Sequence, residues 1–356
     1  KFTPPHTSVS LSFGLLIFFF FLLDMMSSPL DWPEPIIRVQ SLSDSGVTKI
    51  PDRYVKPPYE RPYLSPKDGE VNIPIIDLNG LAGDDKNLHA ATMNDIKEAC
   101  QEWGFFQVVN HGVSPELMRR TRDIWRQFFN LPLELKQGYA NSPKTYEGYG
   151  SRLGIQKGAV LDWSDYFFLH HLPSTIMDRN KWPAHPSSCR DETEEYGKQL
   201  VNLCVKLMEI LSINLGLEKG HLQNSFGGED IGACLRVNYY PKCPQPDLAL
   251  GLSSHSDPGG MTLLLPDDHV SGLQVLSNAI YKSVEHRVTV NSTKERVSLA
   301  FFYNPKSDIP LKPVEELVTP EQPALYLPMT YDEYRLYIRT RGPLGKSQVD
   351  SLKSPR

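Results

Sequence analysis

Near Cys234 the chain changes rhythm, and that change leaves few folds open to it. Upstream, the stretch Glu192 to Leu215 places Tyr196, Leu200, Leu203, Leu207, Leu211 and Leu215 at helical spacing on one face. Such a stripe is a core face that packs against a sheet. Downstream, from Leu235 to Tyr303, short apolar and β-branched runs are separated by turn formers such as Pro258-Gly259-Gly260 and Pro266-Asp267-Asp268. That pattern predicts many short antiparallel strands. Helices first and strands afterwards imply an α+β fold, with a barrel or sandwich braced by helices.

The N-terminal half carries further elements. Val71 to Asp77 predicts a first strand, Asn87 to Trp103 a helix, and Gly104 to Asn110 a second strand rich in aromatic and β-branched residues. Ser114-Pro115 sets an N-cap before a proline at the first helical position, and Leu117, Ile124 and Phe128 follow at helical spacing. From Pro29 to Gly69 the chain is rich in proline and turn formers, with short extended pieces such as Ile36 to Val39, and is expected to wrap the surface. The apolar run Leu11 to Leu23 is too short to span a bilayer comfortably. Only Lys1 supplies positive charge ahead of it, and Asp24-Met25-Met26 follows where a signal-peptide cleavage site would be. Residues 1–28 therefore read as an apolar leader or, in preference, a translated upstream segment with the start at Met25 or Met26, with 29–190 an N-terminal region, 191–341 the barrel domain and 342–356 a tail.

A formal net charge of -5, with no long basic run, offers nothing for gripping a phosphate backbone. Nucleic acid and membrane partners are not expected. Five scattered cysteines without a CxxC pair argue against a disulfide framework or structural zinc and suit a reducing, cytoplasmic setting. The sequon Asn291-Ser292-Thr293 then reads as a chance match.

The residues that carry chemistry lie in the strand-rich half. His255 and Asp257 stand two apart, a spacing that in a strand sends both side chains to one face. His286 shares the inward face of Val284 to Val290 with Val284, Val288 and Val290. Two imidazoles and one carboxylate on one face of an octahedron leave three adjacent positions open, the arrangement of non-haem iron(II) oxygenases. Arg296 and Ser298 again share a strand face, and a guanidinium fork beside a hydroxyl suits a carboxylate. Singly, each of these is a common chance pattern, and a lone histidine is more often a hydrogen-bonded core residue than a ligand.

Taken in order, Asn238-Tyr239-Tyr240-Pro241-Lys242-Cys243-Pro244, His255-Ser256-Asp257, His286 and Arg296-Val297-Ser298 resemble the plant iron(II)- and 2-oxoglutarate-dependent dioxygenases. Trp103 to Gly112 looks like the signature of that family's N-terminal region. The resemblance spans Trp32 to the C-terminus and implies a double-stranded β-helix, or jelly roll, with flanking helices. It further implies Fe(II) on His255, Asp257 and His286, and 2-oxoglutarate on Arg296 and Ser298 with help from Asn238 and Tyr240. No catalytic residue beyond the metal centre is implied; O2 is the oxidant, ascorbate the reductant and a monomer the expected state. His111, His170, His171 and His269 match no ligand position.

Within the family the likeness is greatest to the jasmonate-induced oxygenases, which hydroxylate jasmonic acid, with flavonoid-oxidising dioxygenases further off. An acidic substrate also has physical support. Thr330 and Glu333 form a T-x-x-E capping box for a last helix on which Arg335 and Arg339 share a face. With Arg236 on the strand entering the barrel, they are candidates for a second carboxylate, the bland alternative being a solvated basic face. Desaturation or flavonoid-type oxidation would use the same iron centre.

The resemblance breaks at one place. Between Val275 and Leu276 the family carries two further strands, and here only 28 residues separate Asp257 from His286. A closed sheet without two strands exposes edges and loses inner packing. That loss is comparable with a whole stability margin of roughly 5–15 kcal/mol. The sequence therefore implies a chain that folds poorly and turns over little 2-oxoglutarate, an inactive shortened isoform or a non-catalytic acid-binding protein.

Overall fold

The computed structural model describes residues 31–62, 73–275, 284–313, 318–320, 323–324 and 326–341. The apolar run near the start and the tail after Arg341 lie outside them, as do residues 276–283. Among the described residues no helix is long and apolar enough to cross a membrane, and the five cysteines form no disulfide.

The helices are α1 (Val39–Asp44), α2 (Lys86–Glu102), α3 (Pro115–Phe129), α4 (Leu133–Gln137), α5 (Cys189–Asn214), α6 (His221–Ser225) and α7 (Tyr331–Arg341). The strands are β1 (Ile75–Asp77), β2 (Gln107–Val109), β3 (Gly148–Gly150), β4 (Asp165–Leu172), β5 (Gly232–Tyr240) and β6 (Leu252–His255). They continue with β7 (Met261–Leu265), β8 (Leu273–Val275), β9 (His286–Val288), β10 (Arg296–Asn304), β11 (Pro310–Leu311) and β12 (Met329–Thr330). The first two strands pair in parallel and are shorter than their sequence patterns.

Two sheets make the jelly roll. The larger runs β3-β4-β5-β10-β7 and the smaller β6-β9-β8. Behind the larger sheet, α3 and α5 supply the core the sequence anticipates, with Leu200, Leu203 and Leu207 buried. Trp125, Phe128 and Phe129 of α3 are fully buried, and Phe128 meets Phe167 of β4 edge to face at 5.2 Å. The Trp125 indole donates to Thr193 Oγ1 at 3.1 Å and so ties α3 to α5. Ser114 caps α3 as expected, its side chain accepting from Leu117 N.

The N-terminal stretch departs from its expected surface path. Ile36 to Val39 does not continue as an extended piece, because α1 begins at Val39, which is fully buried. The N–H groups of Val39 and Gln40 donate to the two oxygens of Asp165, each at 2.9 Å. A carboxylate from the start of β4 thereby satisfies donors that a helix start leaves open. Proline content hid the turn of helix because its cap lies 126 residues away, beyond any local pattern.

The shortened connection is visible in the pairing. β8 and β9 pair directly, Leu273 with Val288 and Val275 with His286. Among the described residues β7 pairs only with β10, and β8 only with β9, so each sheet ends in an open edge on the side where the two strands are absent. Replacing Phe128 with Ala is expected to destabilise the chain by about 3–5 kcal/mol, read as a lower midpoint of urea unfolding.

Candidate functional site

The two sheets close on one cavity of about 2450 Å³, lined by inward residues of β5 and β10 on one side and by His255, Asp257 and His286 on the other. Ligand pockets usually hold roughly 300–1,000 Å³, so this cavity is oversized. Its lining also includes β7 residues and Leu200, Leu203 and Leu207 of α5.

His255 ends β6, and a register shift between Leu252 and His255 separates this strand from a regular ladder with β9. A bulge of this kind re-aims side chains. Asp257 lies just past the strand, so its closeness to His255 comes from the turn that follows and not from strand alternation alone. His286 opens β9 directly opposite His255, and the two ring centroids are 4.3 Å apart. One possible donor atom from each of the three residues falls within 4.8 Å of the others. Asp257 Oδ1 is 3.5 Å from His255 Nε2 and 3.7 Å from His286 Nε2. The shortened connection thus keeps the third residue beside the first two.

The tautomers follow from the backbone. His255 Nδ1 lies 2.8 Å from the Ser253 carbonyl oxygen, and His286 Nδ1 lies 3.1 Å from that of Val284. A carbonyl can only accept, so each Nδ1 carries a proton and donates, which leaves each Nε2 facing Asp257. Burial opposes charge on Asp257, but the hydrogen bond from His255 and the field of His286 outweigh it and hold its pKa at about 2. Burial likewise opposes charge on His255, yet Asp257 raises its pKa, while burial and the charge of His255 lower that of His286. The cluster therefore has room for one compensating positive charge among three convergent donors, which is the donor chemistry a divalent metal requires.

The residues expected to hold a carboxylate lie on β5 and β10, which line the same cavity. These strands pair Arg296 with Tyr240 and Ser298 with Asn238, which places all four side chains at neighbouring positions. All four are at least nine-tenths buried. Arg296 donates from Nη1 to Ser298 Oγ at 3.3 Å and from Nε to the Val270 carbonyl at 3.2 Å, and its guanidinium sits 5.2 Å from the Tyr240 ring centre. The surface pairing with Glu295 or Glu285 that would make Arg296 unremarkable is not formed; Glu295 instead accepts from the Tyr239 hydroxyl. Gly272 lies under the arginine stem. A Cβ there would stand 3.0 Å from the Thr289 carbonyl oxygen and 3.3 Å from Arg296 Cδ.

Of the three arginines expected for a second acid, Arg236 and Arg335 line the cavity. Arg236 stacks on Tyr166 at 4.0 Å and donates from Nε to Asn238 Oδ1 at 2.7 Å. Arg335 pairs with Asp332 at 2.7 Å on α7, whose capping box forms as anticipated between Thr330 and Glu333. Arg339 is on the same helix, and its side chain lies outside the described residues. Of the histidines assigned no ligand role, His171 is buried and stacked on Trp182, and His269 is exposed beside Asp268. Tyr166 under Arg236 and the Val270 carbonyl on Arg296 escaped sequence reasoning, because neither carries a motif.

Comparison with known proteins places these features. The family model for the non-haem dioxygenase in morphine synthesis N-terminal region matches residues 73–185. That for the 2OG-Fe(II) oxygenase superfamily matches 231–278 and 271–305. The second model thus meets the chain as two segments that overlap across residues 271–278, the stretch that contains the Val275-Leu276 junction. Jasmonate-induced oxygenase 1 of Arabidopsis thaliana is 60% identical over 91% of this chain and 88% of its own length. Leucoanthocyanidin dioxygenase of Malus domestica is 37% identical over 83% of this chain and 93% of its own. The crystal structure of JOX2 in complex with 2OG, Fe and JA superposes with a TM-score of 0.85 at 57% identity, covering 91% of this chain and all of that one.

Replacing Gly272 with Ala is expected to displace the Arg296 stem and weaken binding of a dicarboxylic acid about tenfold, a loss of about 1.4 kcal/mol. Calorimetry should show divalent-metal affinity little changed.

Proposed function

The chain belongs to the 2OG-Fe(II) oxygenase superfamily, and from that premise we propose that it hydroxylates a small jasmonate-like acid, using O2 and with ascorbate as reductant. The observation that carries the reading is the convergence of His255, Asp257 and His286 in one cavity that Arg296, Ser298 and Arg236 also line. The much higher identity to a jasmonate-induced oxygenase than to a flavonoid-type enzyme supports the choice of acid.

His255, Asp257 and His286 would hold Fe(II), and bound iron supplies oxygen activation coupled to decarboxylation of 2-oxoglutarate to succinate. The remaining work belongs to the chain. Arg296 grips the far carboxylate of 2-oxoglutarate with its fork, and Ser298 adds a hydroxyl donor. Tyr240 and Asn238 wall the same pocket, and burial raises the Tyr240 pKa, so the phenol stays a neutral hydrogen-bonding group. Arg236, Arg335 and Arg339 clamp the carboxylate of the substrate. Holding both acids fixes which carbon faces the iron, and such positioning is worth several powers of ten in rate. Location in the cytoplasm and a monomeric state are part of the same proposal.

The shortened barrel bears on efficiency more than on assembly. Water exclusion protects a reactive centre from side reactions, and a cavity open around β7 excludes water poorly. With Fe(II), ascorbate and jasmonic acid, mass spectrometry should find succinate in clear excess over hydroxylated acid, with both lost in Asp257→Ala. Arg236→Ala should raise KM for the acid about tenfold or more, while 2-oxoglutarate consumption without substrate persists. Binding of the acid with no succinate at all would instead establish the non-catalytic acid-binding reading.

A further inference from the structure

A buried cluster on the outer side of β6 stands apart from the ligands and pockets described above. Lys56 is almost fully buried, with 2% of its side chain exposed, and its Nζ lies 2.8 Å from Asp162 Oδ1. The same ammonium donates to Ser253 Oγ at 2.8 Å, and the Ser253 hydroxyl donates to Asp162 Oδ1 at 2.6 Å. The three groups form a closed triangle whose members come from remote parts of the chain. Burial opposes charge on Asp162, but Lys56 outweighs it and lowers its pKa.

The backbone around this triangle is equally interlocked. Lys56 N donates to the Leu248 carbonyl at 2.8 Å, Leu161 N to Arg53 at 2.7 Å, and Trp163 N to Leu250 at 2.7 Å. Tyr54 packs edge-on against Trp163 at 5.2 Å. Ser253, the one member on β6, is also the residue whose carbonyl accepts the hydrogen bond from His255 Nδ1. That carbonyl fixes the tautomer and the aim of the ring, and it belongs to a strand that is irregular at this point.

We propose that the Lys56–Asp162 ion pair is a positioning device for the metal centre, holding Ser253 so that its carbonyl orients His255 Nε2 toward the iron. The ion pair lies two links from the metal: ammonium and carboxylate hold the serine hydroxyl, and the serine carbonyl holds the imidazole. A bare ion pair in a dry interior is a poor source of stability, since desolvation offsets its attraction. Partners that orient a metal-bound histidine, in contrast, commonly change metal affinity about 10- to 100-fold when removed. The proline-rich arm before β1 then serves the site and not only the surface. This inference rests on the iron-binding reading of His255, Asp257 and His286.

The test is calorimetric titration of the full chain with Co(II), an oxygen-inert stand-in for Fe(II), read also through the visible absorption of the bound ion. Lys56→Met is expected to weaken Co(II) binding about 10- to 100-fold. Ser253→Ala, which leaves the ion pair in place but removes the hydroxyl that both of its members hold, should weaken it several-fold and change the absorption band. Lys136→Met is the control, since Lys136 is also buried but bonds to Gln40 and the Phe129 carbonyl in a different region. It should lower the unfolding midpoint and leave Co(II) affinity unchanged. Unaltered affinity in both Lys56→Met and Ser253→Ala overturns the proposal, and equal weakening in all three variants overturns it as well. Should Lys56→Met not fold, Ser253→Ala decides alone. Failure of the unsubstituted chain to bind Co(II) overturns the iron-binding reading and this inference with it.

Discussion

Everything functional in this molecule depends on the antiparallel ladder between β5 and β10. The two strands pair without a slip from Arg296 opposite Tyr240 to Asn304 opposite Gly232. Side chains alternate across a strand, so a one-residue shift would turn Arg296 and Ser298 toward the helices and bring Val297 and Leu299 into the cavity. The register is held from behind by Val237, Tyr239, Val297, Leu299 and Phe301, all buried in the core with α3 and α5. Apolar burial on one face thus sets the placement of polar groups on the other. The Arg296 side chain is then steadied locally by the Val270 carbonyl, and the turn that bears Val270 is itself held by Asp267, which accepts from Val297 N and Arg126.

Much of this was legible because the relevant chemistry is local in sequence. Arg296 and Ser298 share a face by strand alternation, and Ser114-Pro115 announces a helix start from neighbouring residues alone. The leucine face of α5 reads correctly for the same reason, since periodicity and burial are tied by geometry. The three convergent side chains were legible as types, but their meeting depends on β6 and β9 lying side by side, which no spacing dictates. Alternation was also only part of the account for His255 and Asp257, because the strand stops at the first of them.

What escaped the sequence was consistently non-local. The α1 cap is a carboxylate from β4, and Lys56 finds partners at Asp162 and Ser253, more than a hundred residues away. A lysine amid prolines looks like a solvated charge until the fold encloses it. The absent strands are the opposite case: their loss was plain in the sequence, but its effect was not. Lost pairing was expected to cost stability, and among the described residues it shows as two open sheet edges beside a large cavity, with His255, Asp257 and His286 still clustered.

The ladder between β4 and β5 has a consequence for how the molecule can be divided. β4 belongs to the part matched by the N-terminal family model and β5 to the part matched by the oxygenase model, yet they pair from Asp165 opposite Tyr239 to Leu172 opposite Ala233. An excised fragment beginning at residue 231 would contain every residue proposed to hold the metal and the cosubstrate and still strip β5 of a neighbour along most of its length. It would also leave β6 without the lysine and aspartate that brace it. The two matched regions are therefore successive in sequence without being modules, and recombination between relatives at that seam would have to exchange both halves together.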